Sequence, residues 1–127
     1  MGVNLYRKGR AFEQEVSRYL RRRGVWVVRS AGSKGAADLV AWYGGRRALL
    51  QCKAGSQPHR GELDTLRLMA RDMVATAWVI TKPPRGEPRA YLVYPDQLMG
   101  TLTTLEDLAT WLLEGPGRAH FLRAIGG

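Results

Sequence analysis

The stretch "LLQCKAGSQ" (Leu49 to Gln57) sets an amide, Gln51, and an ammonium, Lys53, two positions apart with Cys52 between them. In an extended chain successive side chains alternate, so Gln51 and Lys53 share one face and Cys52 takes the other. Upstream, "DLVAWY" opens with Asp38, and the two runs are separated by Gly44-Gly45, a pair suited to a primed two-residue turn. Antiparallel pairing about that turn puts the start of the first run beside the end of the second, so Asp38, Gln51 and Lys53 meet at one sheet edge. An anionic oxygen ligand, further oxygen donors and an ammonium are the set that holds a hard divalent cation and orients water or neutralises charge at a scissile phosphate. Glu13, on a helical segment, is placed to close such a site from above, and Arg29 and Ser33 lie on the strand and loop that enter it.

Taken singly, each residue has a structural role to set against this one. An aspartate at a strand start is commonly a turn residue, a strand lysine commonly reaches to solvent, and a glutamate such as Glu13 pairs by default with Arg10 or Lys8 on an exposed helical face. Convergence on one hairpin favours the chemical reading, and the charge around the hairpin strengthens it. The net charge is +9, and Met1 to Arg60 hold 13 Lys and Arg against 3 Asp and Glu, whereas Gly61 to Gly127 hold 7 against 8. A basic half of this kind suits a polyanion, because each phosphate contact releases condensed counterions; a solvated basic face with no partner is the alternative.

The elements that must position these groups follow from periodicity. From Arg7 to Arg23 the residues Phe12, Val16, Tyr19 and Leu20 form one helical stripe, which Gly24 ends. "VWVVRS" (Val25 to Ser30) reads as a strand and "AGSKGAA" as a glycine-rich loop. Strands Asp38 to Tyr43 and Arg46 to Ala54 follow, then a helix from Glu62 to Met73 with Leu63, Leu66, Met69 and Ala70 on its apolar side. Strands at Ala75 to Thr81 and Arg89 to Tyr94 flank the turn "KPPRGEP", and "TTLEDLATWLLEG" reads as a helix capped by Thr103 or Thr104. This order predicts an α/β fold with a mixed five-stranded sheet flanked by helices, in one domain over residues 1–127. With 45% hydrophobic and 24% charged residues the composition is that of a globular chain, which argues against disorder. No apolar run spans a bilayer, "MGVNLYRKGR" lacks a signal-peptide core, and a single cysteine suits a reducing compartment, so a cytoplasmic protein is expected.

Over Tyr6 to Gly55 the sequence resembles the archaeal-type Holliday junction resolvases (the Hjc family) of the PD-(D/E)xK nuclease superfamily. The residues that carry the likeness are "YRKG", the helix glutamate Glu13, "VVRSAGSKG", "DLV" and the following x-C-K. The resemblance implies a restriction-endonuclease-like core in which Glu13, Asp38 and Gln51, with the Cys52 main-chain carbonyl, hold one or two Mg2+ ions, Mn2+ being able to substitute. It implies that Lys53 positions or activates the attacking water, that Arg29 is required for cleavage, and that Ser33 lies in a loop reaching the DNA. Tyr6, Arg7, Lys8 and Arg10 then match a basic segment that contacts backbone phosphates, and Ser30 and Lys34 join Arg29 and Ser33 on the DNA side. The implied partners are a four-way DNA junction and a second copy of the chain, cutting opposed strands symmetrically, with neither a membrane nor a small-molecule substrate.

This chain departs from the family pattern at residue 51, where glutamate is usual and Gln51 brings an oxygen without charge, and at Gln14, where some relatives carry arginine. Two alternatives therefore stay open: a nuclease of the same superfamily acting on another DNA, and a junction-binding protein that has lost cleavage. The four tryptophans are expected in the core or an interface, His59 in a surface loop, and Cys52 as a small buried hydrophobe.

Overall fold

The computed structural model of the chain describes residues 5–30, 37–55, 57–95 and 102–115, with backbone alone for 5–8 and 102. Helix α1 (Leu5–Arg22) buries Phe12, Val16 and Leu20 on one stripe and ends on Arg21 and Arg22, cations that suit the negative end of the helix dipole. Gly24 then turns the chain with φ 96°, a conformation other residues rarely adopt. Strand β1 (Trp26–Arg29) is followed by β2 (Leu39–Tyr43) and β3 (Arg46–Lys53). The turn between β2 and β3 is Gly44-Gly45, with Gly44 at φ 58° and Tyr43 paired to Arg46.

After β3 come α2 (Arg60–Met73), β4 (Thr76–Thr81), β5 (Arg89–Tyr94), β6 (Leu102–Thr104) and α3 (Leu105–Glu114). The strands lie side by side in sequence order. All neighbours pair antiparallel except β3 and β4, which run parallel. A parallel pair needs a crossover, and α2 supplies it. The sheet thus has six strands, not the five expected: β6 is three residues long and runs directly into α3, whose N-cap is Thr104. So short a strand shows no alternation, and its threonines read as capping residues alone.

The sheet separates two cores. On one side α1 and α3 cover Leu39, Ala41, Leu50, Cys52, Trp78, Ile80 and Leu92; on the other, Leu63, Leu66 and Ala70 of α2 pack with Leu49, Val79 and Val93. Trp78 and Trp111 belong to the first core, with ring centroids 6.1 Å apart, whereas Trp26 is 66% exposed and stacks on Trp42. No helix among the described residues is long and apolar enough to cross a membrane.

Leu66 is fully buried where α2 meets the sheet. Leu66→Ala should lower stability by about 2–5 kcal/mol, the usual loss for emptying a buried leucine site. Urea unfolding should then show an earlier midpoint with an unchanged slope.

Candidate active site

The hairpin register sets the site. Leu39 pairs with Leu50, and one position further Asp38 leaves the strand with its backbone N–H donated to the Leu50 carbonyl at 2.8 Å. The Asp38 carboxylate accepts a hydrogen bond from the Cys52 backbone N–H at 2.7 Å, which anchors it at the end of β3. Ser30 is joined to the same point, its N–H bonding to the Asp38 carbonyl at 2.9 Å.

Period two along β3 then sends Cys52 into the α1/α3 core and Gln51 towards α2, as Leu49 does two residues earlier. Burial pushes the Cys52 thiol well above its ordinary pKa, with Asp38 and Glu13 adding to the effect, so the thiol stays protonated and is no nucleophile.

Gln51 and Lys53 converge on a residue for which the sequence suggested no chemical role. Glu62 Oε2 accepts from Gln51 Nε2 at 3.0 Å and from Lys53 Nζ at 2.9 Å. Its other oxygen, Oε1, accepts from the His59 backbone N–H at 3.2 Å, while His59 Nδ1 accepts from the Glu62 N–H, a reciprocal capping box at the start of α2. Burial alone would raise the Glu62 pKa, but the Lys53 and His59 hydrogen bonds and charges outweigh it and hold the carboxyl below its usual value. His59 is thus a helix cap rather than a bare loop residue. The available signal was the spacing "HRGE", which histidine, an uncommon N-cap, kept from standing out.

Glu13 approaches from the opposite layer, on α1, and its carboxylate accepts from Arg29 Nε at 3.0 Å. Glu13 and Glu62 both oppose ionisation of Asp38, so the three carboxylates lie within electrostatic reach of one another. Burial is the largest influence on Asp38; these two charges add to it, the Cys52 N–H and Lys53 work against it, and the net pKa is raised. Arg10, Arg18, Arg21 and Arg29 line a cleft of about 460 Å³ around Glu13, and a second of about 780 Å³ opens beside Lys53, Lys82 and Arg89. Ser33 and Lys34, and the side chains of Tyr6, Arg7 and Lys8, lie outside the described residues.

The donors fit a hard cation in kind, since all are oxygens. Gln51 is only 2% exposed, and its amide oxygen, Oε1, has no hydrogen-bond partner among the described residues. A buried carbonyl oxygen left this way is costly unless a ligand completes it. Among the described residues no three acidic, histidine or cysteine side chains gather closely enough to hold a metal by themselves, so a cation here needs the amide oxygen as well.

A sequence model of the family described as Archaeal Holliday junction resolvase (Hjc) matches residues 4–106. A crossover junction endodeoxyribonuclease Hjc of Methanocaldococcus jannaschii is 48% identical over 52 residues, a match that spans 41% of this chain but only 38% of that relative. A UPF0102 protein of Solibacter usitatus is 38% identical over 90 residues, covering 61% of this chain and 68% of its own length. Among solved structures, the Hjc Holliday junction resolvase of Archaeoglobus fulgidus is similar with a TM-score of 0.61 and 29% identity, over 68% of this chain and 73% of that one.

The raised Asp38 pKa carries a sign. The folded chain holds this proton more tightly than the unfolded chain, so the group's contribution to stability falls as pH rises from the unfolded pKa through the folded one. In chelator at neutral pH, Asp38→Asn should therefore melt on the order of a few degrees above the unsubstituted protein. The difference should vanish at a pH low enough to protonate Asp38 in both states, as a pH series of thermal melts would record.

Proposed function

The chain belongs to the archaeal Holliday junction resolvase family, and from that membership we propose that it is a structure-selective endodeoxyribonuclease that resolves four-way DNA junctions by metal-dependent phosphodiester hydrolysis. The observation that supports this reading most directly is the end of the β2–β3 hairpin, where the Asp38 carboxylate, the partnerless Gln51 oxygen and the Lys53 ammonium lie on neighbouring strand positions. Asp38 and Gln51 would hold Mg2+ or its substitute Mn2+, with Glu13 and the Cys52 carbonyl as further oxygens. The chemistry such an ion supplies when held is Lewis acidity toward the phosphoryl oxygens.

The chain's own residues do the rest. Lys53 holds the attacking water in line and offsets charge on the phosphate. Arg29, fixed by Glu13, and Arg10 meet the DNA backbone from the cleft beside α1. Tyr6, Arg7, Lys8, Ser30, Ser33 and Lys34 extend that contact, so recognition runs through backbone and shape rather than bases. Two copies of the chain would place two such sites to nick opposed strands, leaving 5′-phosphate and 3′-hydroxyl ends. One observation favours a second reading, a junction binder without cleavage: residue 51, on the strand that carries Lys53, is neutral.

The two readings part on a labelled four-way junction and a matching linear duplex, each incubated with the protein in Mg2+ or in chelator. Paired symmetric nicks in the junction alone, and only with Mg2+, are expected; binding without cuts would select the second reading. Asp38→Asn should abolish cutting while junction affinity stays within about twofold, since phosphate contacts rather than this carboxylate carry that affinity.

A further inference from the structure

Gln51 and Glu62 form a matched pair, one amide and one carboxylate, facing each other across the join of β3 and α2. Exchanging the two residue types would leave the volume, the hydrogen bond and the single negative charge almost unchanged. The anion that residue 51 lacks is therefore present in space, although it lies on the next element of the chain. Resting on the metal-dependent reading above, we infer that Glu62 is a metal-ligating residue of this site, supplying from α2 the carboxylate that the strand does not carry.

Three features of the structure lead there. Glu62 Oε2 lies within hydrogen-bond distance of both the Lys53 ammonium and the Gln51 amide, so this carboxylate oxygen stands between the two strand groups assigned to the site, where a cation would take the place of the Gln51 N–H. The Gln51 amide gives its N–H to Glu62, which leaves its buried oxygen without a partner on the same side chain. A half-turn of the amide about its last bond presents that oxygen instead, at no change in shape. Finally, Glu62 is held in place whether or not an ion is present, because Oε1 and the backbone N–H are committed to the His59 cap. The burial of Gln51 also acquires a reason. A glutamate there would face Glu62 as a second carboxylate at hydrogen-bond distance, and a protein metal site bearing one more negative charge would be hard to keep folded without its ion.

Glu62→Gln tests this, since glutamine still completes the capping box with His59 while the carboxylate oxygen that faces Gln51 and Lys53 becomes an amide N–H that cannot ligate a cation. Mn2+ binding to the purified protein, read by titration calorimetry and by the loss of the free-ion paramagnetic resonance signal, should weaken by more than about 100-fold, beyond the loss of about 10- to 100-fold that follows removal of a group that only orients a ligand. The double variant Gln51→Glu with Glu62→Gln returns the carboxylate to β3 and should recover most of that affinity. Recovery would also show that the single variant failed through charge and not through misfolding. Mn2+ affinity in Glu62→Gln that is unchanged or weakened by less than about 100-fold, even with slower cleavage, would overturn the inference and leave Glu62 as a positioning residue for Lys53. No Mn2+ binding by the unsubstituted protein would instead overturn the metal-dependent reading itself, and the inference with it.

Discussion

Everything at this site hangs on the register of β2 against β3. A sheet alternates its faces with period two, so a slip of one residue would turn Gln51 and Lys53 into the α1/α3 core and bring Cys52 out against α2. The two-residue Gly44-Gly45 turn forbids that slip, because Tyr43 and Arg46 must pair across it. The same register delivers the Asp38 carboxylate to the Cys52 N–H. One short turn therefore sets which side chains are buried as hydrophobes and which meet as polar groups.

The polar groups come from three elements that approach the hairpin end from different sides. Glu13 arrives on α1 held by Arg29, Asp38 stands at the start of β2, and Glu62 arrives on α2 held by its cap and by Lys53. Each outer carboxylate is hydrogen-bonded to a cationic side chain, whereas Asp38 accepts from a backbone N–H, and burial with the like charges of both neighbours outweighs that bond and the pull of Lys53. A fold that served stability alone would not bury an aspartate under these conditions. Raised carboxyl pKa values and unsatisfied buried oxygens are typical of sites whose electrostatics a ligand completes.

Placing Glu62 in this cluster also explains how the crossover helix is seated. The apolar stripe Leu63, Leu66 and Ala70 presses α2 onto β3, β4 and β5, and the N-terminal turn is pinned to the end of β3 through Glu62. Packing and polar contacts thus agree on one position for the helix. The arginines that surround Glu13 all lie on α1 and β1, and they are four of the 13 Lys and Arg in Met1 to Arg60.

Much of this was legible in the residues alone. Apolar spacing marks α1 and α2, alternation marks β3, and the Gly44-Gly45 pair marks the hairpin, because each signal is local and each side chain's environment follows from its neighbours along the chain. The grouping of Asp38, Gln51 and Lys53 was legible for the same reason: a tight turn makes sequence distance stand for spatial distance. Strand β6 was not, since three residues cannot show a period and its last residue, Thr104, serves as the cap of α3. Nor was the role of Glu62, which depends on how a helix eleven positions past Gln51 crosses the sheet and on a histidine cap that aims its first turn. Local chemistry and spacing belong to the sequence. Which carboxylate ends beside a neutral amide is settled only when separate elements pack, because no periodicity records the distance between them.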